Sequence, residues 1–164
     1  MDELLTEAFR YNKWANLQLL DVCGKLSQEQ LQLTAPGTYG TIANTWLHLL
    51  TAEQRYLTRL GGGEPQINER DAVPGLDVLK EMAARSGDQL IAAAPRVKPD
   101  ETIVDARRGG VKLHLGIVLI QALHHGNDHR THICTILGHH QIPYGDLDVW
   151  AYGAAHRPPN ASSG

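Results

Sequence analysis

Apolar residues recur every three to four positions along four long stretches of the chain, and this periodicity predicts amphipathic helices over residues 2–23, 41–60, 76–94 and 115–137. In the first, Leu4, Leu5, Ala8, Tyr11, Leu19 and Val22 are expected among the core positions. In the second, Ile42, Trp46, Leu49, Leu50, Tyr56, Leu57 and Leu60 form one broad stripe that Gly61-Gly62-Gly63 brings to a stop. Val78, Leu79, Met82, Leu90 and Ile91 supply the apolar positions of the third, which must end before Pro95. Val118, Ala122, Ile133 and Ile136 define the apolar face of the fourth.

The segments between the helices carry their own signals. Ser27-Gln28-Glu29-Gln30 has the spacing of a capping box opening a short helical turn, which Pro36-Gly37 ends. A polar Gly/Pro/Asn loop leads to Pro74. Thr102-Ile103-Val104-Asp105 and Val111-Lys112-Leu113-His114, joined through Arg107-Arg108-Gly109-Gly110, read as a hairpin-like excursion. Residues 146–155 form a short terminal helix, and residues 157–164, rich in Pro, Ser and Gly, a disordered tail. The expected fold class is all-α: one helical bundle domain over residues 1–156. The excursion before the last long helix can carry the chain back along the bundle, so a simple up-down-up-down design is not expected.

A chain of 164 residues, 42% of them hydrophobic, can bury a core without staples. A net charge of −3 without a basic cluster offers no electrostatic footprint for nucleic acid. Acidic Asp2 and Glu3 stand where a secretory leader needs basic residues, and no apolar run approaches a membrane span, so a cytoplasmic location and no membrane partner are expected. Cys23 and Cys134, far apart and without zinc spacing, read as buried thiols.

The chemistry concentrates in the fourth helix, where His125 and His129 stand one turn apart in Leu123-His124-His125-Gly126-Asn127-Asp128-His129-Arg130-Thr131-His132. At about 100° per residue the two imidazoles project within roughly 40° of each other, on the apolar face. Two histidines stacked there can share a first-row metal ion, which removes much of the cost of burying them. His132 projects to the same side, His124 toward the polar side, and Asp128 at best to a supporting position. The glutamate that follows the first His in H-E-x-x-H proteases is missing, since Gly126 stands there. Further ligands must come from elsewhere: His114, His139, His140 and His156 lie at helix ends or in extended segments, and His48 lies at the margin of the second helix's apolar stripe, where periodicity leaves it open as a ligand or an edge residue.

Four pieces of text then resemble a known family: Phe9-Arg10-Tyr11-Asn12-Lys13-Trp14-Ala15-Asn16, Leu47-His48-Leu49-Leu50-Thr51-Ala52-Glu53, His125-Gly126-x-x-His129-Arg130, and Pro143-x-x-Asp146-Leu147-Asp148-x-Trp150-Ala151-Tyr152. In this order, over residues 2 to 153, they resemble the DinB/YfiT-like metal-dependent enzymes. The resemblance implies a four-helix bundle of that type with a divalent metal ion (zinc, nickel or iron) held by His48, His125 and His129. It also implies a homodimer and a small-molecule substrate; characterised members of the family transfer low-molecular-weight thiols. Thr131-His132 stand where members often carry Gly-Gln, so His132 enters as a candidate extra ligand or outer group. Three functions remain open: a metal-dependent thiol transferase, a metal-dependent hydrolase, and a non-catalytic metal-binding or assembly bundle. Arg10, Arg55 and Arg130 can line an anion-binding mouth or be solvated helix charges, and Trp14, Trp46 and Trp150 read first as core or interface anchors.

Overall fold

The computed structural model of the chain describes residues 2–98, 100–106 and 109–156. The expected tail at 157–164 and the two arginines of the expected hairpin turn lie outside the described residues. The fold is mostly helical: α1 (Asp2–Cys23), α2 (Ile42–Arg59), α3 (Leu76–Ala93), β1 (Thr102–Asp105), β2 (Val111–His114), α4 (Leu115–His139) and a short α5 (Val149–Ala155). The first long helix, α1, packs chiefly on α3 and also on α4, whereas α2 packs on α4 and α3. None of the described helices is long and apolar enough to cross a membrane.

The helix ends follow local chemistry. Thr41 caps α2, its Oγ1 accepting from the Asn44 N–H at 3.1 Å. At the other end Gly61 adopts φ +87°, which lets the Gly62 N–H reach back to Leu57 O at 2.8 Å and the Gly61 N–H to Thr58 O at 3.2 Å, a Schellman closure that only a residue tolerant of the left-handed region makes without strain. Ser27 and Gln30 close the expected capping box reciprocally, Ser27 N–H donating to Gln30 Oε1 at 2.9 Å and Gln30 N–H to Ser27 Oγ at 3.2 Å. The fourth helix runs two residues past its expected end, to His139, and closes through the same kind of turn, with Gln141 at φ 58° and the Ile142 N–H on Leu137 O.

The excursion forms as expected. Strands β1 and β2 pair antiparallel in the register Thr102↔His114 to Asp105↔Val111. Asp105, buried at its end, accepts from Arg59 Nε at 2.8 Å and ties the hairpin to α2. The terminal α5 is capped by Asp148, whose Oδ1 accepts from the Ala151 N–H at 2.8 Å. It docks on α1 through Tyr152, which donates to Glu7 Oε1 at 2.6 Å, while Tyr11 donates to Leu147 O. Tyr152 is therefore buried, and Trp150, 85% exposed, is the aromatic that α5 leaves on the surface.

The phase of α1 differs from expectation. Leu4 is 79% exposed, and the buried stripe is Phe9, Asn12, Ala15, Asn16, Leu19, Leu20 and Cys23. Two asparagines occupy core positions, so a stripe traced through apolar residues alone is rotated off the true one. Val78 of α3 is likewise exposed. The core divides into two apolar clusters. Leu19, Trp46, Leu49, Leu79 and Ile133 belong to the larger, and Phe9, Leu57, Leu90, Leu119 and Ala122 to the smaller. Along each long helix the stretch between the two clusters carries buried polar residues: Asn12 and Asn16 in α1, Glu53 in α2, Ser86 in α3, His129 and Arg130 in α4.

Candidate metal centre

The three histidines singled out in sequence meet at the level of that polar layer. The second helix brings His48 against the His125 and His129 turn of α4, with ring centroids 4.9, 4.6 and 4.3 Å apart for the pairs His48/His125, His48/His129 and His125/His129. One nitrogen from each ring lies within 4.8 Å of one nitrogen from each of the others. His48 Nε2 and His125 Nε2 are 3.0 Å apart. Two ring nitrogens at that distance repel through their lone pairs unless a proton or a cation sits between them.

Burial sets the protonation of the α4 pair. Desolvation, reinforced by the neighbouring imidazoles, pushes His125 down to about 3 and His129 down to about 4. Both rings are neutral at neutral pH, the form that ligates a metal. The Nδ1 atoms of His48, His125, His129 and His132 are buried without an aligned hydrogen-bond partner. Buried polar atoms left unpaired in this way are uncommon, and three of these, on His48, His125 and His129, belong to the converging rings, with His132 at their rim. Three imidazole donors converging in this way suit a borderline divalent ion.

Loop residues and Tyr56 of α2 complete the surroundings. Tyr39 stacks on His48 with centroids 4.1 Å apart and meets His129 edge-on at 5.1 Å. Tyr56 meets His125 edge-on at 5.8 Å. From the α2–α3 loop, Glu69 places Oε1 3.0 Å from His48 Nδ1, off the line a hydrogen bond needs, and the same oxygen accepts from Arg55. Burial opposes ionisation of Glu69, but Arg55 and His48 outweigh it and hold the carboxyl below the usual carboxylate range. Beside Tyr56 opens a cleft of about 480 Å³ lined by Arg55, Arg59, Leu113, Ile117, Val118 and Gln121.

The other sequence candidates fall outside the cluster or at its rim. His132 packs edge-on against His129 at 5.2 Å and is not among the nitrogens that converge. His124, His114 and His139 are exposed, His140 Nε2 lies 2.9 Å from Thr34 O, and His156 Nδ1 lies 2.8 Å from Tyr152 O. Cys23 sits in the core under the Trp46 indole, 3.4 Å from its Nε1, and burial pushes both Cys23 and Cys134 up to about 11. Of the arginines, Arg10 pairs with Glu7 on the surface, but Arg130 is only 4% exposed and is not a solvated helix charge.

What sequence reading missed is the partner of Arg130. Its Nη1 donates to Asn12 Oδ1 at 2.6 Å and Asn16 Oδ1 at 2.8 Å. The same two amides donate to Glu53 Oε1, at 3.1 and 3.0 Å, and Ser86 Oγ donates to Glu53 Oε2 at 2.5 Å. The signal was present. Glu53 stands four residues from both Leu49 and Leu57, inside the apolar stripe of α2, and Asn12 and Asn16 are an i, i+4 pair. Tyr39 and Glu69 come from loops and carry no periodic signal.

A helical protein with three imidazoles converging between two long helices is the class that fold and site define. Residues 1–145 match the DinB family model, and the chain belongs to the DinB family. None of the curated proteins matches it. Among solved structures, it is similar to a DinB-like protein from Bacillus cereus, with 19% identity, a TM-score of 0.68, and coverage of 88% of this chain and 95% of that one. At that identity the likeness speaks to the fold.

Proposed function

We propose that this DinB-family chain is a metal-dependent enzyme whose His48, His125 and His129 hold one divalent ion, zinc, nickel or iron, and that it transfers a low-molecular-weight thiol to a small electrophile. The proposal includes a single four-helix bundle domain over residues 1–156, with the hairpin as part of a long crossover. The observation that carries it is the convergence of three imidazoles, two of them kept neutral by burial, with His48 lining a cavity of about 290 Å³ beside Tyr39 and Glu69.

When bound, such an ion supplies Lewis acidity, favouring the anionic form of a thiol that reaches it. The protein's own groups do the rest. Tyr39 and Tyr56 flank the imidazoles and hold the rings of His48 and His125 by stacking and edge contact. The Arg55 guanidinium stands beside both Glu69 and the cleft and supplies positive charge at its mouth. The thiol must be a co-substrate, because Cys23 and Cys134 are held protonated and Cys23 lies beneath Trp46.

The test is metal analysis of untagged protein followed by a thiol and electrophile screen at neutral pH. The expected result is about one ion per chain, lost in His48→Ala, His125→Ala and His129→Ala and kept in His124→Ala, with conjugation that requires both thiol and metal. Ester or amide cleavage without thiol would replace the transferase by a hydrolase, and metal-dependent assembly without turnover would leave a non-catalytic bundle.

A further inference from the structure

The layer formed by Asn12, Asn16, Glu53, Ser86 and Arg130 draws one residue or more from each of the four long helices, and every one of the five is buried. Its bonding is reciprocal. Each asparagine gives its amide oxygen to Arg130 and its amide N–H to Glu53, so both side chains stand between the guanidinium and the carboxylate. Ser86 supplies Glu53 with a third donor, and the Tyr11 ring lies 5.7 Å from the Arg130 guanidinium carbon.

Above and below lie apolar clusters. Apolar surfaces are non-directional, and helices joined only by them can trade one ridge-and-groove fit for another a turn away. A slip of α4 by one turn, about 5.4 Å, would leave Arg130 facing hydrocarbon and Glu53 without its counter-charge. The ligand candidates ride on the same turns: Arg130 follows His129, and Glu53 stands five residues after His48. Gly126 makes the clasp possible, since a Cβ there would come 2.5 Å from Asn12 Oδ1 and 3.1 Å from Arg130 Nη1.

We infer that this buried layer is the register device of the site: Glu53 and Arg130, bridged by Asn12 and Asn16, are positioning residues that fix α2 and α4 so that His48 meets His125 and His129. The inference rests on the metal reading for its use, but the register is a property of the metal-free fold. Non-ligand residues of the sequence motifs, Asn12, Glu53, Gly126 and Arg130, thereby acquire a common task. A buried polar network is weak support for stability, and specifying a unique register is its best attested use.

The experiment compares wild type with Glu53→Gln, Gly126→Ala and the milder Ser86→Ala, using the full chain and two readouts. In metal-free protein, nuclear Overhauser contacts between the His48 and His125 rings report the register. Titration with cobalt(II) alone, followed by its visible absorption, reports affinity and ligand geometry. The expectation is a folded, helical Glu53→Gln protein with weakened ring contacts, roughly tenfold lower cobalt affinity and an altered spectrum, with Gly126→Ala behaving alike and Ser86→Ala less affected. Variants that lose thermal stability yet keep wild-type ring contacts, affinity and spectrum would overturn the inference, since the layer would then be structural only. If Glu53→Gln does not fold, Ser86→Ala decides by the same readouts. Wild type that binds no cobalt would sink the metal reading, while the ring contacts would still decide the register.

Discussion

Two polar groups of residues lie at one level of the molecule, and they are built on opposite principles. In the layer of Asn12, Asn16, Glu53, Ser86 and Arg130, buried donors and acceptors face one another across four helices. In the histidine cluster a few residues away, four ring nitrogens are buried without an aligned partner, and two others face each other at 3.0 Å. The first arrangement is complete within the chain, which is what a structural network needs. The second is incomplete, and at the facing Nε2 atoms of His48 and His125 a cation between them would remedy it. Neighbouring polar residues of one helix, His129 and Arg130, thus belong to different tasks, and satisfaction of their hydrogen bonds tells them apart better than burial does.

The largest expected effect separates the two by stability. Glu53→Leu leaves the Asn12 and Asn16 amides unpaired and Arg130 buried beyond them without an acid, and loss of one charged member of a buried network costs about 3–5 kcal/mol. His125→Leu in metal-free protein removes an imidazole whose Nδ1 is unpaired, so it should cost under about 1 kcal/mol or stabilise, as substitutions at functional sites often do. Urea unfolding of both variants with the metal chelated measures the contrast. Similar losses in the two would erase the distinction between the layer and the cluster.

How much of this could be read from the sequence depended on which residues spoke through periodicity. The helices followed from their apolar recurrence and the hairpin from its alternation, and the H-x3-H spacing alone put His125 and His129 on one face. His48 was harder. It lies at the margin of its stripe, and family resemblance, not pattern, selected it. The exposure of Leu4 and the burial of Arg130 escape the pattern for one reason: periodicity scored on apolar residues alone passes over Asn12, Asn16 and Glu53, the polar residues that hold core positions. Glu69 and Tyr39 were illegible because a loop's path depends on tertiary contacts.

A smaller effect concerns acid. His125 and His129 in the folded, metal-free protein are pushed down to about 3 and about 4, whereas in the unfolded chain they return to the usual imidazole value of about 6.5. Between those limits the unfolded chain binds more protons, so stability falls as pH drops from about 6.5 toward about 4. The contribution is fully present above 6.5. Carboxylates elsewhere add their own dependence below about pH 5, so the informative window is 6.5 to 5. Denaturation across that window should show a slope that flattens in a His125→Asn, His129→Asn double variant, and an unchanged slope would place the titrating groups elsewhere.

The smallest expected effect tests where the cluster ends. Glu69 approaches His48 from the Nδ1 side, the side away from the Nε2 that faces His125, so it stands outside the converging nitrogens and acts on a bound ion only through the ring. A carboxylate there favours the Nδ1–H tautomer, which frees Nε2 as the ligand and raises its basicity. Its reach is limited by exposure, since about a third of the Glu69 side chain is open to solvent and Arg55 shares its charge. Glu69→Gln keeps the shape and removes the charge. It should lower metal affinity by less than the roughly tenfold that buried outer partners command, leaving the metal stoichiometry and the stability of the metal-free protein unchanged. Competition with a chelator of known strength measures the affinity, and urea unfolding the stability. A loss of stoichiometry would make Glu69 a ligand in its own right and move the boundary of the centre out into the α2–α3 loop; no change at all would leave His48 oriented by Tyr39 stacking alone.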